Sequence, residues 1–135
     1  MNKSLRRVNG LRIIEERIKS LVEFGNTLPH GKVYFREDWG VYYFDLLGKQ
    51  FGMMTREASE EAIITLKGNP ETNEILRETY VDVVPGYYAN KKHWNSIYLR
   101  TEEISDEEIK KMIEASYQLV WAKLPAKVRK EYTEN

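Results

Sequence analysis

The sequence predicts an α+β domain in which helices pack against a meander of antiparallel strands. Two apolar runs, residues 41–47 and 50–54, flank a Gly-Lys turn, a pattern typical of a β-hairpin. Farther along, Ser105 and Glu108 form a capping box in front of apolar residues at helical spacing. The predicted strands are joined mostly by short connections, which favour antiparallel neighbours. Together these observations predict an antiparallel β-sheet flanked by helices.

The first part of the chain is predicted to contain a helix followed by three or four strands. Apolar residues at helical spacing predict the helix, with Gly25 as its plausible stop: Leu11, Ile14, Ile18, Leu21 and Val22. A short strand over residues 32–35 precedes the hairpin, and the apolar run at residues 62–66 predicts a strand after it.

A second, short helix is predicted to begin at Asn69 and Pro70. Asparagine caps helix N-termini, and the fixed φ of proline suits the first helical position. Glu71 then places a negative charge at the positive end of the helix dipole. We expect Ile75 and Leu76 to be the residues that this helix turns toward the core.

The last part of the chain is predicted to hold a loop, a strand and a long helix. The loop covers residues 81–90, opens with an extended segment and is broken by Pro85 and Gly86, and the strand covers residues 94–100. The capped helix is predicted over about residues 106–122, with one or two further helical turns over residues 126–132. The residues expected to pack the long helix on the sheet are Ile109, Met112, Ile113 and Val120.

Length and composition limit the classes of protein to consider. The 135 residues suit a single domain, which we divide into an N-terminal helical segment (1–27) and a core (28–132). Lysine plus arginine and aspartate plus glutamate both number 21, so the net charge does not favour binding to nucleic acid or membranes. The chain has no cysteine, and no apolar run approaches the roughly 18 residues needed to span a bilayer. We therefore expect a cytoplasmic protein that binds no membrane.

A series of short motifs extends through most of the chain. In chain order they are Leu28-Pro29, Trp39-Gly40, Phe44 with Gly48-Lys49-Gln50-Phe51, Lys67-Gly68-Asn69-Pro70-Glu71, Pro85-Gly86-Tyr87-Tyr88, Lys92-His93-Trp94, Ser105-Asp106-Glu107-Glu108, Ser116-Tyr117 and Leu124-Pro125. In this order the motifs resemble those of the MmcQ/YjbR family of small bacterial proteins. The resemblance implies a CyaY-like (frataxin-like) fold. The family is described as a double-wing DNA-binding family, so the resemblance also implies DNA binding, with a regulatory role as the corresponding hypothesis.

The candidate DNA contacts combine cations for phosphates with aromatic rings for bases. Lys49 is predicted at a hairpin tip, where a wing would carry a cation. The alternative is that the lysines are ordinary solvated residues and that His93 is a hydrogen-bonded structural histidine. Trp94 opens an alternating strand, so we expect it to pack in the core rather than stack on bases. The complete candidate set is Lys49, Lys67, Tyr87, Tyr88, Lys91, Lys92 and His93.

Two other charged segments have structural interpretations. Acidic residues interrupt the N-terminal cations, which favours a solvated helix face over a set of phosphate contacts; these cations are Arg6, Arg7, Arg12, Arg17 and Lys19. The acidic run at residues 102–108 lies at a predicted helix start, where it serves the dipole and the cap rather than a metal ion.

The sequence shows no catalytic pattern. The two histidines, His30 and His93, lack the spacing of a metal-ligand pair, and neither a nucleophile elbow nor a phosphate-binding glycine loop occurs. We therefore predict a non-enzyme without metal or cofactor, whose contacts to DNA are mainly to phosphates. The alternative hypothesis is a protein- or small-ligand-binding adaptor on a frataxin-like scaffold, with Tyr87 and Tyr88 framing a pocket.

Overall fold

In a computed structural model, residues 3–86 and 90–133 are described, with side chains from residue 9 onward. This part of the chain forms one six-stranded sheet in the order β1-β2-β3-β4-β6-β5, and every neighbouring pair is antiparallel. The α+β class is therefore confirmed. The elements are α1 (Lys3–Thr27), β1 (Gly31–Arg36), β2 (Val41–Leu46), β3 (Lys49–Thr55), β4 (Ile63–Lys67), α2 (Pro70–Thr79), β5 (Val83–Pro85), β6 (Trp94–Tyr98), α3 (Asp106–Lys123) and α4 (Ala126–Thr133).

The predicted hairpin is formed by β2 and β3. The turn is Leu47-Gly48 rather than the predicted Gly48-Lys49, so Lys49 begins β3 instead of forming the tip. Leu47 and Gly48 have φ of 50° and 87°, as a two-residue turn with both central residues in the left-handed region requires. Phe44 and Phe51 are fully buried beside each other, with ring centroids 5.6 Å apart in an edge-to-face arrangement. The hairpin thus supplies the aromatic centre of the core.

The helices α1 and α3 pack on the same face of the sheet, and the capped start of α3 is as predicted. The Ser105 side chain accepts a hydrogen bond from the Glu108 amide at 3.2 Å. Ile109, Ile113 and Val120 are buried, while Met112 is half-buried. The capping signal and the apolar period therefore located this helix correctly.

Gly25 does not end α1, so the predicted stop is wrong. The helix continues to Thr27, and Gly25 is buried where α1 crosses the sheet. A side chain there would collide with Val33 and would lie 3.0 Å from Phe44 Cε2. The glycine therefore permits close helix–sheet approach instead of supplying a left-handed cap.

Arg17 is not part of a solvated helix face, contrary to the sequence interpretation. Its side chain is only 11% exposed and donates to Asp106 Oδ1 at 2.5 Å. It also donates to the backbone carbonyls of Leu99 at 2.9 Å, Thr101 at 3.0 Å and Ile104 at 3.3 Å. Arg17 therefore joins α1 to the connection between β6 and α3.

Two apolar residues differ from their predicted placement. Ile75 is 61% exposed, because the inward face of α2 is formed by its neighbour Leu76 and by the buried amide of Asn73. Trp94 is half-buried and lies on the opposite side of β6 from the core residue Ile97, so it is absent from the core cluster of the described residues.

The strands β3 and β4 separate at one end, where α3 places a hydroxyl between them. Their paired residues extend from Met54 and Ile64 to Gly52 and Leu66. At the next position the buried Ser116 donates to the Phe51 carbonyl at 2.5 Å and accepts from the Lys67 amide at 2.9 Å. This serine bridge satisfies both strands and holds them apart beside the end of α3.

Candidate nucleic-acid interface

Three lysines from three different elements line one cavity of about 300 Å³. Lys49 begins β3, Lys67 ends β4, and Lys123 lies in the last turn of α3. The rest of the lining consists of Gln50, Val120 and Leu124, so none of its residues is acidic within the described part of the chain. We call this space the lysine cavity.

Topology explains why these lysines meet. In an antiparallel pair the start of one strand lies beside the end of the next, which brings Lys49 close to Lys67. Ser116 faces the same two strands, and Lys123 follows it by seven residues, which returns it to the same face of α3. The serine bridge and the lysine cavity therefore belong to one arrangement.

No acidic side chain in the described lining neutralises the positive charge of the three lysines. Burial lowers the pKa of Lys67, and the neighbouring ammonium of Lys123 lowers it further. A bound anion would stabilise the charged form of Lys67, because opposite charge offsets both effects. The site is therefore chemically suited to a phosphate or carboxylate group.

Lys91, Lys92 and His93 lie in the turn before β6, at the same end of the sheet. The Gly68 amide, next to Lys67, donates to the His93 carbonyl at 2.8 Å. Asn73 Nδ2 donates to the Lys92 carbonyl at 3.1 Å, and Arg77 Nη2 donates to the Lys91 carbonyl. These backbone contacts fix the loop while both lysine side chains remain exposed and His93 is half-buried.

The structure therefore brings together part of the predicted site. Lys49 and Lys67 share the lysine cavity, whereas Lys91 and Lys92 lie in the adjoining loop and do not line it. Tyr87 and Tyr88 lie outside the described residues, as do the side chains of Arg6 and Arg7.

Lys123 was missed by the sequence analysis. It precedes Leu124-Pro125, where the predicted helix was already taken to end. Two signals could have identified it: a cation is favourable in the last turn of a helix, and Lys123 shares a helical face with Ser116 and Val120.

The acidic start of α3 lies at the other end of this helix from Lys123 and the lysine cavity. Ser105 caps the helix, as the structural interpretation predicted, and Asp106 forms an ion pair with Arg17 that the sequence did not predict. The first turn of α3 thus carries three acidic residues and its last turn carries Lys123, although the whole chain has no net charge. A polyanion approaching the lysine end would avoid these carboxylates.

Two other kinds of feature are absent from the described residues. Within residues 3–86 and 90–133 no group of three or more histidine, cysteine, aspartate or glutamate side chains is arranged to hold a metal ion. In the same ranges none of the helices has the length and apolar character needed to cross a membrane.

The antiparallel sheet, the helices against it and the lysine cavity at its end define the class: a small α+β domain with a local basic site. The chain belongs to the YjbR family, whose model matches residues 27–119. It is 30% identical to YjbR of Escherichia coli K12 over 113 residues, which are 84% of this chain and 94% of that protein. It is 38% identical to YbdF of E. coli O157:H7 over 77 residues, covering 57% and 62% of the two chains.

Solved structures agree with this assignment. The crystal structure of Deinococcus radiodurans protein DR2400, a DUF419 domain, superposes with a TM-score of 0.76 at 28% identity, covering 86% of this chain and 87% of that one. A Pseudomonas syringae crystal structure shares the fold at 21% identity, with a TM-score of 0.63 and coverage of 75% and 96%. The family resemblance drawn from the motifs is confirmed.

Proposed function

We propose that this protein binds DNA without catalysis, through phosphate contacts made by the lysine cavity and the neighbouring loop. The observation that carries the proposal is the convergence of Lys49, Lys67 and Lys123 on one cavity whose described lining is free of acids. Phosphates supply the negative charge that these ammonium groups lack, and such contacts dominate the affinity of proteins for DNA. The family resemblance leads to the same expectation.

The neighbouring loop extends this surface beyond the cavity. Lys91 and Lys92 are exposed, and the hydrogen bond from Gly68 to His93 holds their loop against the end of β4. A cavity and a loop at one sheet end can contact successive phosphates, which position a protein on DNA but carry no sequence information. We therefore propose binding with little sequence preference from these residues.

The first test measures the affinity for duplex DNA as a function of salt. Replacement of Lys49, Lys67 or Lys123 by alanine should weaken binding about equally across DNA sequences, because each variant loses a phosphate contact. Each should also reduce the slope of log K against log salt by about one unit. The variants Lys91→Ala and Lys92→Ala should behave in the same way.

Lys111→Ala is the matched control for this experiment. Lys111 is exposed on α3, but lies toward the acidic end of that helix and outside the cavity lining. The Lys111→Ala variant changes the net charge as much as the other lysine variants do. Because Lys111 lies outside the proposed contacts, the variant should leave the slope of log K against log salt almost unchanged. If all of the lysine variants behave like this control, or if DNA binding is undetectable at low salt, the proposal fails.

The lowered pKa of Lys67 predicts a pH dependence of DNA binding. Affinity should be highest while Lys67 is protonated and should fall as the pH rises through its lowered pKa, before an ordinary lysine would titrate. The Lys67→Arg variant should remove this part of the decline, since a guanidinium keeps its proton at these pH values. Binding measured from about pH 7 to about pH 10 checks this. Parallel pH profiles for both proteins would contradict it.

A further inference from the structure

An apolar groove lies between α2 and α3 over the end of the sheet, and it shares Lys67 with the contacts proposed for DNA. It has a volume of about 400 Å³. Small-molecule sites typically occupy about 300–1,000 Å³, so the groove is of a size to hold one small ligand. Its apolar lining comes from both helices and three strands: Leu66, Leu76, Val83, Ile97, Met112, Ala115 and Leu119.

Two of the polar side chains that line the groove, Asn73 and Asn95, already form hydrogen bonds within the protein. Asn73 Nδ2 donates to the carbonyls of Gly68 at 3.2 Å and Lys92 at 3.1 Å. Asn95 donates to the Asn73 carbonyl at 3.1 Å and accepts from Arg77 Nε at 2.6 Å. These bonds hold α2 against β6, so the groove wall is organised without a ligand. The body of a ligand would therefore meet mainly aliphatic surface.

Lys67 gives the groove a charged border. Among the described residues that line the groove, Lys67 is the only ionisable one, and it also lines the lysine cavity with Lys49 and Lys123. Among the described lining residues, the groove and the lysine cavity therefore share Lys67 alone. A complementary ligand needs an aliphatic chain for the groove and an anionic group for the ammonium of Lys67.

We propose that the groove binds a small aliphatic carboxylic acid, with its chain between α2 and α3 and its carboxylate at Lys67. The free acid is favoured over a bilayer lipid because the apolar lining lies between two helices and its volume of about 400 Å³ suits one small ligand. The partly buried position of Lys67 strengthens a charge-assisted hydrogen bond to the carboxylate, as low exposure reduces solvent screening.

Calorimetric titration with decanoate, below its micelle-forming concentration, tests the proposal. Lys67→Met keeps an aliphatic side chain but removes the charge, and should weaken decanoate binding by about tenfold or more. The same variant should bind the neutral analogue 1-decanol as well as the unmodified protein does. Ala115→Trp places a large ring in the groove from an exposed helix position, and should abolish binding of both compounds.

Two crossed variants separate this proposal from DNA binding. Lys49→Met should weaken DNA binding and leave decanoate affinity within about threefold, because Lys49 lines the lysine cavity but not the groove. Ala115→Trp should abolish decanoate binding and leave DNA binding unchanged. A thermal melt of each variant confirms folding, and the Met112 methyl resonance reports directly on occupation of the groove.

The outcomes are decisive in both directions. A shifted Met112 resonance together with the two crossed effects supports the acid site. Equal affinity for decanoate in a folded Ala115→Trp variant would overturn it, as would no effect of Lys67→Met. Binding to phosphatidylcholine vesicles without binding of free decanoate would show a bilayer surface instead, and would also overturn it.

Discussion

Replacement of Arg17 by alanine is expected to lower the free energy of unfolding by about 3–5 kcal/mol. The guanidinium is 11% exposed and is the common donor to Asp106 and to three backbone carbonyls. Its loss leaves those carbonyls without their donor, and removes the tie between α1 and the connection that precedes α3. Urea unfolding at neutral pH measures the change.

Arg12→Ala is the matched control, on the same helix and with the same charge removed. The Arg12 side chain is 79% exposed and contacts Glu16 at 3.7 Å, a surface pair of the kind that contributes little. Its replacement should change stability by no more than about 0.5 kcal/mol. Equal losses for the two arginine variants would show that the buried hydrogen bonds of Arg17 do not stabilise the fold.

Ser116→Ala is expected to cost about 2–4 kcal/mol, because two backbone groups lose their partner at once and each unsatisfied buried group costs roughly 1–3 kcal/mol. The groups are the Phe51 carbonyl and the Lys67 amide. Thermal and urea unfolding measure the loss. Thr79→Ala is a suitable control, since that exposed hydroxyl donates only within its own helix, to the Ile75 carbonyl.

The same serine variant also bears on the lysine cavity. Without the hydroxyl, nothing bridges the Phe51 carbonyl and the Lys67 amide, so the spacing of β3 and β4 at this end is no longer fixed. A changed spacing would alter the separation of Lys49 and Lys67, so DNA affinity should fall in the folded variant. Full stability in the Ser116→Ala variant would contradict the bridging role.

Local signals in the sequence were sufficient for most elements of the fold. The hairpin, the helix start at Asn69 and the capping box at Ser105 depend on residues close in sequence. Both helix starts were located correctly, and the hairpin was located with its turn one residue too late. Gly25 was misinterpreted because the same residue type serves helix ends and close approaches. The positions of Val33 and Phe44 against α1 distinguish the two roles, and they depend on the tertiary fold.

The candidate site was only partly predictable, for a related reason. Lys49 and Lys67 could be proposed from strand ends, but their meeting with Lys123 depends on where α3 crosses the sheet. The role of Arg17 depends on carbonyls 82 to 87 positions away along the chain, which no local pattern reveals. The groove likewise exists only once α2 and α3 are placed on neighbouring strands.

The contacts of Arg17 with residues far along the chain have a consequence for how the chain folds during synthesis. The apolar face of α1, with Ile14, Ile18 and Leu21, leaves the ribosome before any strand of the sheet. The hydrogen-bond partners of Arg17, on the same helix, extend along the chain as far as Asp106. Tyr117, still farther along the chain, donates a hydrogen bond from its hydroxyl to the Pro29 carbonyl, just after α1, at 2.7 Å. At a synthesis rate of about 5–20 residues per second, these partners are made several seconds after α1. The contacts of α1 are therefore complete only after the start of α3 has been synthesised.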